Sequence, residues 1–403
     1  MSARLAKHGT LPILIAIVLG MLLGLVYPDL AIKMKLLSDG FIKLVGLLMP
    51  FLLFVLVATG VAGIKRERYH RHVVRRIIVY FQLMSCAALM VGMATGWVFN
   101  LEHSATPVPP LPAQSLLHEL SLLSASSTLY HVFTQSLVLQ VMLAALICGL
   151  LLGRGSAFGN RCLGGFEAGV KGLFYLLRII LKFAPLAAFG AMAFVVGKYG
   201  VSSVLPLFKF VLIIYLVCGL FVVVVMATIT RIVGVKLSRL IVYLKEELLL
   251  VTFTGSSLAA LPGCVNKLEA LGCDRQLVRL VLTTGYTFNL AGTNLYLTTA
   301  IMFLAHMAGV ELALPQMLAV LLICLVTSLS STSVAGSALF TLIATLNILQ
   351  LVPLEGVGLL LGVERLMKCR SLTNVLGNCV ACLAICGWQR LIDREVLQRE
   401  LVI

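Results

Sequence analysis

Long apolar runs constrain this chain more than any other feature of its sequence. A helix needs about 20 apolar residues to cross a bilayer, and eight runs come near that length. They cover Leu11–Tyr27, Leu44–Ile64, Ile77–Val98, Val132–Leu152, Leu173–Val196, Leu207–Val233, Leu277–Ala305 and Val357–Trp388. Because these runs are continuous and do not alternate with polar residues, they favour transmembrane helices over the strands of an outer-membrane barrel.

The composition excludes most classes of soluble protein. Hydrophobic residues make up 60% of the 403 residues and charged residues only 12%. An average soluble domain carries about twice that share of charge. So few charges cannot cover a soluble surface of this size, which excludes a cytosolic enzyme, a disordered chain and a secreted disulfide scaffold. No nucleotide-binding glycine loop or catalytic triad spacing is present, so no enzyme is expected. The expected fold is an all-α polytopic membrane protein.

The net charge of +15 is distributed as the positive-inside rule predicts and does not indicate a nucleic-acid partner. Residues 65–76 hold six Lys or Arg, which indicates a cytoplasmic loop. Residues 101–127 hold none, which indicates the opposite side. The alternation continues to a basic tail with Arg390, Arg394 and Arg399. Eight crossings with both termini in the cytoplasm are therefore expected, with membrane lipid around them.

Two further apolar stretches are interrupted by small polar residues. The first, about 248–271, contains Gly255, Ser256 and Ser257, and the second, about 318–349, contains a polar run over 327–337. Non-helical backbone at membrane depth is tolerated only where it is buried in protein or lines a cavity. Such a pair is typical of a transporter binding site, so we expect two re-entrant hairpins that enter from opposite sides. The alternative is two ordinary helices whose Ser and Thr side chains bond to their own backbone.

Between these stretches, Gly285 to Asn294 contains two Gly, two Asn and two Thr. Such a run inside a spanning helix is costly unless the helix opens there and exposes carbonyl groups to a hard cation such as Na⁺. The alternative is a packing motif of small residues, which would account for Gly285 and Gly292 but not for Asn289.

The last apolar run carries Arg370, Asn374 and Asn378 on one helix face, at i, i+4 and i+8. A charge at mid-membrane costs roughly 2.5–3.5 kcal/mol, so the guanidinium must find an acceptor. Glu364 is expected on a different part of the helix, which makes an anionic substrate the natural partner of Arg370. The alternative is an arginine bonded to carbonyl groups of a hairpin tip.

The cysteines do not predict a metal site. Cys379, Cys382 and Cys386 resemble a ligand spacing, but the surrounding sequence offers no further ligand. We expect them to pack as small residues.

Several of these segments resemble the dicarboxylate/amino acid:cation symporters (sodium:dicarboxylate symporters), and within them the bacterial aerobic C4-dicarboxylate transporters. The likeness extends from about residue 10 to about residue 395. It is strongest at the first hairpin tip through Ala260-Leu261-Pro262, at Gly285–Thr293, and at Ser371-Leu372-Thr373-Asn374 with Gly377-Asn378.

This resemblance implies eight transmembrane helices, two re-entrant hairpins and a homotrimer in the bacterial inner membrane. It implies a trimerisation scaffold (1–75 and 101–203), an elevator-type transport domain (76–100 and 204–390, with hairpins at about 248–271 and 318–349) and a cytoplasmic tail (391–403). The implied activity is import of small dicarboxylates such as succinate, fumarate or malate, driven by Na⁺ or H⁺ and without any other cofactor.

The resemblance also implies site residues. Those implied for the substrate are Arg370, Asn374, Thr293, Ser256, Ser257, Ala335 and Gly336. Those implied for the cation are Gly285, Thr287, Asn289, Asn374 and Asn378.

Three departures from the family pattern leave alternatives open. Ala291 stands where an acidic residue is usual, the second hairpin tip looks about three residues short, and Glu364 to Arg370 looks one residue short. Without a carboxylate a hard cation is held less strongly. The alternatives are a carboxylate sensor or regulator that does not transport, an uncoupled leak, and an amino-acid symporter. The last is disfavoured because Met367-Lys368-Cys369 offers no carboxylate to a substrate ammonium.

Overall fold

The chain folds into helices, as the computed structural model shows for residues 11–66, 71–99, 137–153, 157–201, 204–329, 331, 337–349, 357, 360–361 and 363–401. Within these ranges the β-structure is one isolated bridge between Cys273 and Ile392. The α-helices are α1 (Leu11–Val26), α2 (Pro28–Lys33), α3 (Lys35–Arg66), α4 (Arg71–Phe99), α5 (Leu137–Leu152), α6 (Ala157–Ile180), α7 (Ala184–Tyr199), α8 (Val204–Phe221), α9 (Ala227–Val233), α10 (Leu237–Tyr243), α11 (Lys245–Thr254), α12 (Leu261–Ala270), α13 (Arg275–Phe288), α14 (Ala291–Met307), α15 (Leu314–Ser328), α16 (Ser337–Leu349), α17 (Cys369–Gln389) and α18 (Arg394–Leu401). The expectation of an all-α protein is confirmed for the described part of the chain.

Several helical stretches are long and apolar enough to cross a bilayer. Among the described residues these are His72–Val98, Val204–Val233, Arg275–Met307 and Cys369–Gln389. One face of α8 is exposed and apolar, and its members are Leu205, Phe208, Leu212, Leu216 and Leu220. An apolar face of this length is costly in water and favourable against lipid hydrocarbon. The chain is therefore a membrane protein.

The predicted span Leu173–Val196 is not one helix. The helix α6 ends at Ile180, and a 3-10 turn at Leu181–Phe183 separates it from α7. Pro185 lies in the first turn of α7, where the amide hydrogen that proline lacks would have no partner inside the helix. The 3-10 turn and this proline therefore divide the apolar run into two helices.

The last predicted span, Val357–Trp388, is also divided. A 3-10 turn at Glu364–Leu366 precedes α17, which begins only at Cys369. Arg370 therefore lies in the first turn of α17 and not in the middle of a longer helix. The main-chain amide of Met367 donates to the Glu364 carbonyl at 3.2 Å, which closes this turn.

The first interrupted stretch forms two helical arms around a non-helical tip. The arm α11 ends at Thr254, and the φ of 69° at the following Gly255 lies in the left-handed region that favours glycine. Ser256 is extended, and a 3-10 turn at Ser257–Ala260 leads into α12. An ion pair of 2.8 Å between Lys267 and Glu247 joins the two arms. The second stretch likewise has two arms, α15 and α16, but Ala335 and Gly336 of its tip lie outside the described residues.

A buried helix, α14, forms the centre of the molecule. Every residue from Ala291 to Ala305 is buried, and α4, α8, α15, α16 and α17 all pack around it. Gly92 of α4 lies so close to Thr298 that an added methyl group would overlap its hydroxyl. Elsewhere α1 packs on α7, and α3 packs on α5. The polar residues of α14 therefore face protein and not lipid.

Candidate functional site

The helix breaks where the polar motif predicted it would. The first half, α13, ends at Phe288, and α14 begins at Ala291, so Asn289 and Leu290 are not helical. This break brings the start of α14 against the start of α17. Gly292 permits the approach, because a methyl group there would overlap the main-chain oxygen of Arg370. Two helix N-termini, each with amides that lack a partner within the helix and a partial positive charge, therefore converge.

Asn374 connects the two helix starts. Its Oδ1 accepts hydrogen bonds from the amides of Gly292 at 2.8 Å and Thr293 at 3.3 Å. Its Nδ2 donates to the Thr293 hydroxyl at 3.1 Å. The side chain thus caps α14 from another helix and fixes the orientation of Thr293. The Asn374 side chain thus contacts the start of α14 through both of its polar atoms. The contacts with substrate and cation that the resemblance implied for Asn374 stay a prediction.

Arg370 already has a carboxylate partner, Glu364. The Nη2 of Arg370 donates to the Glu364 Oε1 in a short ion pair, and both side chains are buried. The expectation that Glu364 lies on a different part of the helix is wrong, because the 3-10 turn folds it back onto the first turn of α17. The Tyr215 hydroxyl donates to the Leu366 carbonyl at 2.8 Å and holds this turn against α8.

One edge of the Arg370 guanidinium remains available. Its Nη1 is buried and has no hydrogen-bond partner among the described residues. The guanidinium carbon lies 4.5 Å from the centre of the Tyr296 ring, whose hydroxyl is also buried and has no hydrogen-bond partner in the described part of the chain. An unsatisfied buried polar group costs about 1–3 kcal/mol, and more when it is charged. A ligand with oxygen acceptors would remove this cost.

A second polar cluster lies deeper along α17. The Asn289 Nδ2 donates to the Asn378 Oδ1 at 3.0 Å, and both residues are fully buried. Gly285 permits this contact, since a methyl group there would approach the same oxygen to 2.5 Å. The Asn289 Oδ1 and both polar atoms of the Asn294 amide have no partner within the described chain. Buried oxygen acceptors of this kind suit a hard cation. Thr287, the remaining predicted cation ligand, is half-buried.

The first hairpin tip contacts the same region. The Ser371 hydroxyl, next to Arg370, donates to the Gly255 carbonyl at 3.2 Å. Ser257 is buried and Ser256 is half-buried at this tip. The tip thus lies beside the first turn of α17, next to Arg370.

Sequence reasoning missed two residues of the site. Tyr296 follows Thr293 by three positions and therefore shares its helix face, a spacing that could have identified it. Glu364 had no such signal, because its contact with Arg370 depends on the turn between them.

The cysteines also lie closer together than expected. Cys273, in the connection between α12 and α13, lies beside Cys382 and Cys386, with the three Sγ atoms within 4.8 Å of one another. The expectation that no other ligand is near is therefore wrong. Hydrogen bonds from the Cys382 and Cys386 thiols lower the pKa of the Cys273 thiol.

Comparison with known proteins finds sequence similarity over nearly the whole chain. The model of the sodium:dicarboxylate symporter family matches residues 10–388. The C4-dicarboxylate transport protein of Paraburkholderia xenovorans is 39% identical over 407 residues, covering 96% of this chain and 94% of that protein. The protein of the same name from Cupriavidus taiwanensis is also 39% identical, and the match covers 96% of this chain and 93% of that protein. C4-dicarboxylate transport protein 1 of Ralstonia nicotianae is likewise 39% identical, and the match covers 96% of this chain and 94% of that protein.

Proposed function

Because the chain belongs to the sodium:dicarboxylate symporter family, we propose that it imports C4-dicarboxylates such as succinate, fumarate or malate by symport with Na⁺ or H⁺. The observation that carries this proposal is the unsatisfied Nη1 of Arg370 in a buried polar site. A guanidinium binds a carboxylate through two parallel hydrogen bonds, and one edge of this guanidinium is occupied by Glu364 while Nη1 is not.

The surroundings of Arg370 favour a negatively charged group. The N-termini of α14 and α17 both face this region, and their helix dipoles favour an anion, although the Gly292 and Thr293 amides already donate to Asn374. We propose that one substrate carboxylate binds Arg370 and the Thr293 hydroxyl, and that the second lies toward Ser256 and Ser257 at the first hairpin tip. Ala335 and Gly336 of the second tip complete the proposed substrate site.

The structure changes the argument against an amino-acid substrate. A carboxylate does lie beside Arg370, but it belongs to Glu364 and is already paired with the guanidinium. A substrate ammonium would have to compete with Arg370 for it. This competition, together with the names of the relatives, supports a dianionic substrate.

The proposed cation site consists of Gly285, Thr287, Asn289 and Asn378, with Asn374 holding the adjacent helix start. Its support is the set of buried amide oxygens near the helix break. If H⁺ is the coupling ion, Glu364 is the proposed carrier, since buried carboxylates serve as proton relays in transporters. The buried Ala291 supplies no charge, which keeps an uncoupled leak and a non-transporting carboxylate sensor as alternatives.

The packing is consistent with two moving parts. We propose that 76–100 and 204–390 form the transport domain, because α4 and α17 pack on α14 and α13 packs on α17. The scaffold would consist of 1–75 and 101–203, where α1 packs on α7 and α3 packs on α5. The proposed assembly is a homotrimer in the inner membrane, with both termini cytoplasmic and elevator-type motion of the transport domain.

Uptake of labelled succinate into proteoliposomes tests this function, with Na⁺ and H⁺ gradients imposed separately and with fumarate, malate, aspartate and glutamate as competitors. Arg370→Ala removes a charge-assisted hydrogen bond to the substrate carboxylate that is worth about 3 kcal/mol. We therefore expect this variant to bind substrate about 100-fold more weakly. The matched control is Arg399→Ala, a side chain that is 75% exposed. Uptake by Arg370→Ala at the wild-type rate would refute the proposal. Binding without uptake indicates a sensor, and uptake that ignores both gradients indicates a leak.

A further inference from the structure

Three thiols that the transport proposal does not use form a compact buried cluster. Cys382 and Cys386 are one turn apart on α17 and share a face, and both are completely buried. Cys273 is 4% exposed and comes from the connection between α12 and α13. The three Sγ atoms lie within 4.8 Å of one another, at the opposite end of α17 from Arg370.

Main-chain contacts hold Cys273 in place independently of its thiol. The Gly272 carbonyl accepts from the Asp393 amide at 2.9 Å, and the Asp274 amide donates to the Leu391 carbonyl at 3.1 Å. Gly272 has a φ of 84°, and a methyl group there would come within 2.9 Å of Asp393. The thiol cluster is thus preformed by the backbone on both sides of Cys273.

The geometry suits a metal ion better than a disulfide. With metal–sulfur bonds of about 2.3 Å, three thiolates around one ion are about 4 Å apart, so small rotations of the side chains would suffice. Cys382 and Cys386 cannot bond to each other on a regular helix, because Cβ atoms one turn apart are about 5–6 Å apart and a disulfide requires about 3.5–4.5 Å. A disulfide from Cys273 to either one would leave the third thiol unused.

We propose that Cys273, Cys382 and Cys386 form a thiolate site for a soft d¹⁰ metal ion, Cu(I) or Zn(II). Thiolates select soft ions and disfavour Na⁺, so this site is chemically distinct from the coupling-ion site. Binding displaces the thiol protons and releases them to solvent. The bound ion links the α12–α13 connection to α17 and thereby stabilises the fold around the end of the first hairpin.

Direct metal binding to the reduced, purified full-length protein tests the site. Cu(I) and Zn(II) are each titrated in competition with a chromophoric chelator, and the bound metal is counted per chain. We expect one ion per chain and a higher melting temperature of the loaded protein. Replacing a residue that supports a metal ligand typically weakens metal binding by about 10-fold or more, and replacing the ligand itself should weaken it at least as much. Cys273→Ser and Cys382→Ser should therefore bind the metal at least about 10-fold more weakly than wild type. The control is Cys324→Ser, a buried thiol on α15 that is not part of this cluster.

X-ray absorption of the metal-loaded wild type provides a readout that does not depend on folding of the variants. The expected first shell contains three sulfur atoms at about 2.3 Å, and the two titrations show which ion is preferred. A first shell of nitrogen and oxygen alone would overturn the proposal. So would binding that Cys273→Ser leaves unchanged, the absence of tight binding of either ion, or a disulfide from Cys273 in protein purified under reducing conditions.

Discussion

The ion pair between Glu364 and Arg370 leads to an unusual prediction for Glu364→Gln. If substrate binds the free edge of the guanidinium, its carboxylate lies on the other side of Arg370 from Glu364. Two negative charges about 6 Å apart repel by about 3 kcal/mol at an effective dielectric constant of 20. Removing the Glu364 charge should therefore tighten succinate binding by about 100-fold. The same change leaves Arg370 buried without a charge partner, which should destabilise the substrate-free protein by about 3–5 kcal/mol.

Calorimetric titration with succinate and thermal unfolding with and without saturating succinate measure the two effects in one preparation. We expect a lower melting temperature of the substrate-free Glu364→Gln protein and a larger increase upon adding succinate than in wild type. Glu311→Gln, at an exposed position, controls for the chemistry of the substitution. If Glu364→Gln binds succinate no more tightly than wild type, Glu364 does not compete with substrate for Arg370 and the electrostatic reasoning fails.

Three further predictions concern the start of α14. Asn374→Ala removes three hydrogen bonds and should lower the free energy of unfolding by about 2–4 kcal/mol; unfolding that matches wild type would contradict its capping role. Gly292→Ala should cost about 1–3 kcal/mol through overlap with the facing backbone, whereas Gly219→Ala, with open space around it, should be neutral or slightly stabilising in the same melting assay. Tyr296→Phe removes an unsatisfied hydroxyl, so stability should not fall, while succinate affinity should drop about tenfold if that hydroxyl binds substrate; unchanged affinity would exclude this contact.

Local sequence patterns were sufficient for the elements of the fold and for part of the site. Apolar runs predicted the long helices, because a bilayer selects for length and hydrophobicity along the chain itself. The break at Asn289 and the tip at Gly255 were also predictable, since polar and small residues at these points oppose a continuous helix. The sequence did not predict that the apolar runs Leu173–Val196 and Val357–Trp388 are each divided. A proline in the first run and a 3-10 turn in the second interrupt an otherwise uniformly apolar composition.

Only the tertiary structure decided which groups satisfy one another. Asn374 caps a helix that begins 83 residues earlier in the chain (374 − 291), and Cys273 meets thiols from a different helix. Glu364 reaches Arg370 because a turn of a few residues reverses the direction of its side chain. Composition and periodicity indicate which residues are neighbours within one helix, whereas these contacts depend on how separate helices pack. The sequence alone therefore determined a membrane transporter with a buried arginine, and the packing determined that this arginine already has an internal carboxylate partner, Glu364.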